Sequence, residues 1–268
     1  YHQPSRGAPV DDQGNPVYHT TPKSFEAAQT DGQRWRWCLE QAAEMTPQIA
    51  DQVKMQFADF WWNQLGVQTM AEYGWFFGRA EQDDTQKHES GTYALHTLGE
   101  DETIARLATG IKRFKLPEEF NFVKIYQQLA GKPQGSCKLD ALERLAQLFE
   151  NRRQYPKAAE YWRQAIAISS GKQRESFQDR LQQIVGHWGQ FETVMTQPAG
   201  EGATIEYRFR NGKQVEFVAQ EILVDKLLED VKAYLKSRPG QLDWQKLDIS
   251  NLGYRLVHQN QKQYVGAE

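Results

Sequence analysis

Between Ala141 and Ile168 apolar residues recur twice at helical spacing. Leu142, Leu145, Ala146 and Phe149 fall at i, i+3, i+4 and i+7 and form one stripe. After the polar break Asn151-Arg152-Arg153-Gln154, a second stripe carries Ala158, Tyr161, Trp162, Ala165 and Ile166. Pro156 stands in the first turn of that second helix, where no backbone donor is missed. The pattern predicts two antiparallel helices, with the small residues Ala146, Ala158 and Ala165 allowing close approach of the backbones.

The same reading extends along the chain. Residues 1–30 carry no apolar period and predict an extended arm, ordered only where it lies along the rest of the protein. A helix is predicted from Asp31, as cap, to about Met45. Thr46-Pro47 opens a second helix that carries Ile49, Val53, Phe57, Phe60 and Trp61 and ends near Gly66. These two form another predicted helical hairpin. The acidic stretch Ala80–Gly91 predicts a surface loop, and further helices are expected over 102–114 and 117–130. Gly131–Gly135 breaks the pattern, and Gln173–Val185 predicts one more helix, with Phe177, Leu181, Ile184 and Val185 inward.

The character changes near Gln190. Thr204–Ala219 alternates as two strands about Asn211-Gly212. A three-residue loop, Arg210-Asn211-Gly212, would pair Tyr207 with Val215 and Ile205 with Phe217, and would put both apolar sets on one face. Gly212 would then take the left-handed bulge position. Val224–Lys236 is strongly amphipathic and predicts a helix, while Trp244–Val265 shows no firm period. The expected fold is mainly α: stacked helical hairpins with a small C-terminal α+β part containing a β-hairpin. The expected organisation is an arm at 1–30, a helical domain at 31–190 and the start of a β-domain at 191–268.

Composition narrows the function classes. With 39% hydrophobic and 25% charged residues the 268-residue chain can build a real core. The mean hydropathy of -0.76 reflects glutamine more than charge. A net charge of -3 argues against a nucleic-acid partner, and no apolar run approaches the length of a membrane span. Cys38 and Cys137, the two cysteines, read as separate thiols. Trp35, Trp37, Trp61, Trp62 and Trp75 cluster in the first third and read as rings filling the space between helices.

No recognisable reaction chemistry emerges. The six histidines are scattered, with no pair at i, i+4 beside a carboxylate as zinc requires. Phosphate loop, nucleophile elbow and Cys-x-x-Cys are all missing from the string, so a non-catalytic protein without metal or cofactor is expected. Cys38-Leu39-Glu40-Gln41 has the spacing of an internal thioester. However, Leu39 replaces the glycine of the Cys-Gly-Glu-Gln motif, and the string falls in a predicted helix, so coincidence is the preferred reading.

Leu142, Leu145, Ala146, Phe149, Tyr155, Ala158, Trp162 and Ala165 match the spacing of the tetratricopeptide repeat, which the hairpin resembles. A repeat of this kind implies stacked neighbours and a concave groove for a protein or peptide. By that resemblance the groove would be lined by Glu143, Gln147 and Glu150, with Asn151 at the helix end. Longer strings, NRRQYPKAAEYWRQAI, QIVGHWGQFETVMTQPAGEGATIEYRFRNGKQVEFVAQEI and DVKAYLKSRPGQLDWQKLDISNLGYRLV, resemble large bacterial alpha-2-macroglobulin-like proteins. That likeness is strongest over 151–265. It implies a helical segment leading into macroglobulin-like β-domains of an exported, periplasmic or cell-envelope protease trap. Its partners would be the adjacent β-domains of the same parent chain, and its end at Glu268 an artificial one. The chain shows neither a bait region nor a credible thioester, so the resemblance implies a structural and interaction module. A stand-alone repeat module binding a peptide is the alternative.

Overall fold

The computed structural model describes residues 7–67, 94–193, 198, 200, 202, 204–238, 240–247 and 262–266. The expected loop at 80–91, Trp75, and most of the tail after Trp244 lie outside the described residues. The chain divides into two compact units, Tyr1–His187 and Trp188–Glu268. Its architecture is mainly α, with two small antiparallel sheets.

In the first unit, α1 (Asp31–Met45) is capped by Thr30 rather than Asp31. The Thr30 hydroxyl accepts the Gln33 amide at 3.2 Å, and Asp31 instead pairs with Arg34 in the first turn. Pro47 opens a 3₁₀ turn, Pro47–Ile49, that leads into α2 (Ala50–Leu65). Along α2, Met55, Ala58, Trp61 and Leu65 are buried at i, i+3, i+6 and i+10, the face turned to the core. The described part of the arm lies along this core. The Ala8 amide donates to the Arg106 carbonyl, and the Ala8 carbonyl accepts the Ala108 amide, both at 2.8 Å. Tyr18 packs its ring on Trp61 and Phe120, with centroids 5.5 and 4.7 Å apart.

Residues 102–115 correct the expected helix: β1 (Glu102–Leu107) and β2 (Gly110–Lys115) form a hairpin pairing Leu107 with Gly110. Gly110 has φ +122°, which an L side chain adopts only with strain. Ala105 and Leu107 join the main core while Ile104 packs with Val67 and Leu98. A strand buried on both faces shows no alternation, and Ile104, Leu107 and Ile111 happen to fall at helical spacing. The helix expected over 117–130 is shorter. A 3₁₀ turn (Glu118–Phe120) precedes α3 (Phe122–Ala130), capped by the fully buried Asn121. Asn121 accepts the Lys124 amide at 3.2 Å and donates its own amide to the Glu100 carbonyl at 3.0 Å.

The predicted hairpin is present as α4 (Lys138–Asn151) and α5 (Tyr155–Ile168). Between them Arg153 takes φ +55°. Leu142, Leu145, Ala146, Phe149, Ala158, Trp162 and Ala165 are each no more than 1% exposed, whereas Tyr155 is 49% exposed. The Phe149 and Tyr161 rings stack in parallel at 5.5 Å. Two helices flank the seam: α3 packs on α4, and α6 (Gly171–Val185) packs on α5. Trp162 meets Phe177 of α6 at 5.1 Å. Burying two apolar faces per helix is what a repeat unit needs from its neighbours.

The second unit corrects the expected 204–219 hairpin. β3 (Trp188–Phe191) pairs antiparallel with β4 (Tyr207–Arg210), and residues 213–219 form no strand. Gly189 permits this partner, because a Cβ there would sit 1.8 Å from the Tyr207 hydroxyl. The left-handed residue after β4 is Asn211 (φ +59°), not Gly212, and it turns the chain out of the ladder. Tyr207 and Phe217 still meet, through rings 5.2 Å apart, with Phe191 4.9 Å from Tyr207. The helix α7 (Val224–Lys236) buries Leu227 completely. Tyr264 bonds Asp230 of that helix at 3.0 Å, and Ile222 bridges Val265.

Candidate functional site

The four residues expected to line a repeat groove all lie on α4. Glu143 and Gln147, one turn apart and partly exposed, are joined by a 2.9 Å bond from the Gln147 amide to the Glu143 carboxylate. Glu150 is committed to packing instead. It accepts the Trp162 indole N–H and the Arg180 guanidinium, and so ties α4 to α5 and α6. Asn151 ends the helix, partly exposed. The structure therefore brings Glu143 and Gln147 together on an accessible face and draws Glu150 into the seam.

Beyond Asn151, Arg152 is 1% exposed and donates to the Gly99 carbonyl at 3.0 Å. Burial lowers its pKa to about 10, against the opposing pull of Glu100 and Glu102. Gln154 donates to the His96 and Leu98 carbonyls at 3.2 and 2.7 Å. Together these side chains fasten the 96–101 segment to the helix end.

A groove of about 450 Å³ opens where α2 packs against both α1 and α3. Leu39 and Ala43 of α1, Val53 and Phe57 of α2, and Ile125 of α3 supply its apolar lining. Arg36 closes one end. It is only 7% exposed, and its guanidinium lies 4.6 Å from the Phe57 centroid and 5.3 Å from that of Phe120. It donates through Nε to Glu40 at 3.1 Å, through Nη1 to the His19 carbonyl at 3.0 Å, and through Nη2 to Glu119. A buried cation needs this full set of partners. Burial, reinforced by the Arg36 charge, lowers the pKa of His19, whose ring packs on Phe60 and Trp61. Glu44 stands exposed further along α1 and accepts the Gln41 side-chain amide at 2.9 Å.

Sequence reasoning passed over this site. The signal was present as Arg36 and Glu40 at i, i+4 within a Trp-rich helix, but Glu119 comes from a distant turn. The thioester spacing is not realised: Cys38 is an exposed free thiol, and Gln41 keeps its amide on Glu44. Cys137 is likewise free, and buried. Trp35 packs on Phe57 and Phe60, Trp61 is fully buried, and Trp62 meets Tyr126. The described tryptophans of the first third thus serve packing. Among the described residues no three His, Cys, Asp or Glu side chains are grouped to hold a metal ion. None of the described helices is long and apolar enough to cross a membrane. Neither a family model, nor a curated protein, nor a solved structure matches the chain.

Proposed function

We propose that this chain is a non-catalytic structural and interaction module of an exported bacterial alpha-2-macroglobulin-like protein, its stacked helices holding neighbouring β-domains in place. The observation that supports the reading most is the α4–α5 seam. Seven of its eight repeat-type positions are no more than 1% exposed, and α3 and α6 flank it. Helices that spend their inner faces on each other leave their outer faces for a protein partner. The second unit adds weight. A two-stranded sheet is marginal alone, and Phe191 and Phe209 on its strands are each more than half exposed, as suits a sheet that packs against further structure.

The test uses the parent protein and trypsin. A trapping parent spares a protein substrate from trypsin while a small peptide substrate is still cleaved, and deleting residues 31–187 abolishes that shielding. The isolated chain slows neither reaction. A parent that never shields, or that shields equally well after the deletion, contradicts the proposal. The second reading, a stand-alone repeat module that binds a peptide, is favoured by the accessible Glu143 and Gln147 pair. It requires Glu143→Lys to abolish peptide capture without loss of fold.

A further inference from the structure

We propose that the groove between α1 and α3 binds a polypeptide segment presenting an apolar side chain flanked by lysine or arginine. This goes beyond the holding of β-domains and does not depend on which parent carries the chain. The volume of about 450 Å³ lies within the range of built ligand sites. Its α2 contribution, Ala50, Val53, Lys54 and Phe57, falls at i, i+3, i+4 and i+7. That stripe is about 10 Å long, the reach of about three extended residues. An open trough of this length suits a chain passing through it.

Charge selects the flanks. Three carboxylates, Glu40, Glu44 and Glu119, and two cations, Arg36 and Lys54, border the apolar floor, leaving one net negative charge. The buried Arg36 is no anion receptor. Two carboxylates and a backbone carbonyl already accept from it, and two rings cover it. The Glu119 side chain, by contrast, is 53% exposed and Glu40 is 41% exposed. Both carboxylates keep solvent-exposed surface, although Oε1 of Glu40 already accepts from Arg36 and from the Thr21 hydroxyl, and Glu44 adds a third, exposed carboxylate on α1. An apolar side chain would rest on Val53, Phe57 and Ile125, with cations reaching the carboxylates on either wall.

The experiment titrates the isotope-labelled 268-residue chain with acetyl-Arg-Phe-Arg-amide and acetyl-Glu-Phe-Glu-amide, reading amide and methyl shifts by NMR. Shifts should centre on Leu39, Ala43, Val53 and Ile125, with the cationic peptide at least about fivefold tighter at low salt. The preference should shrink above about 0.1 M salt. Glu44→Lys should erase the preference and Lys54→Glu should enlarge it. Both residues are exposed, so the fold is retained. Equal binding of the two peptides, shifts centred elsewhere, or none at millimolar peptide overturns the proposal. So does n-butylammonium binding as tightly as the tripeptide, which would make the groove a small-cation site. Loss of protease shielding by the parent would leave these shifts untouched, so the two proposals fail separately.

Discussion

Replacing Trp162 by alanine tests the helical stack at its most loaded point. The side chain is 1% exposed, lies against Phe177 of α6 at 5.1 Å, and donates its indole N–H to Glu150 of α4. One residue therefore joins three helices. Truncating a buried tryptophan costs about 3–5 kcal/mol, a large share of the roughly 5–15 kcal/mol that holds a domain folded. Glu150 keeps Arg180 as partner, so no buried carboxylate is stranded and the upper end of the range is not needed. With a urea slope of about 2–3 kcal/mol/M, the midpoint should fall by about 1–2 M in the helical far-UV signal. Phe177→Ala alone should cost a comparable amount. The double variant should cost less than the sum by about 1 kcal/mol, the coupling of an aromatic pair in contact. A Trp162→Ala shift below about 0.3 M, or strict additivity of the two substitutions, would refute the packing of α5 on α6.

Three further outcomes follow from other parts of the first unit. Asn121→Ala removes the α3 cap and strands the Glu100 carbonyl; it should cost about 2–3 kcal/mol in urea titration, and Asn121→Asp should cost no less, because a fully buried carboxylate would face that carbonyl oxygen. Gly7→Ala would set a Cβ 2.6 Å from the Leu107 carbonyl at φ +64°, so the arm should be cut at Lys23 by a lysine-specific protease at a rate several-fold above that of the parent chain. His19 should titrate below its ordinary value of 6.5 in a proton-NMR pH series, because burial and Arg36 disfavour its charged form. The unfolded chain then binds the extra proton. The His19 contribution to stability is complete above pH 6.5 and is lost as pH falls through the lower folded value, a trend that His19→Gln should flatten.

Sequence legibility followed local periodicity. The α4–α5 hairpin, α2, α6 and α7 were readable because their apolar residues recur at helical spacing, and α1 because a cap signal precedes its aromatic run. The β1–β2 hairpin was hidden because Ile104 and Ala105 point into two different clusters, both buried. At β4 the residues favouring a strand were legible, but its partner was not. Pairing with Trp188–Phe191 depends on Gly189 yielding space to a tyrosine eighteen positions away. For the groove, Arg36 and Glu40 stood in plain view, while Glu119 and Ile125 arrive only through tertiary packing. Asn121 could have been read as a cap before an apolar run, had the expected helix not been started at Pro117.

Native-state hydrogen exchange on the intact chain tests most directly the claim that α3 to α6 form one cooperative stack. The amides of Leu145–Phe149 and Ala158–Ala165 should exchange slowest, through global unfolding of the first unit, with the inner faces of α3 and α6 opening at the same free energy. If α5 and α6 instead exchange through a separate, much lower-energy opening while α3 and α4 stay protected, the helices do not form a cooperative stack. The scaffold on which the proposed function rests is then contradicted.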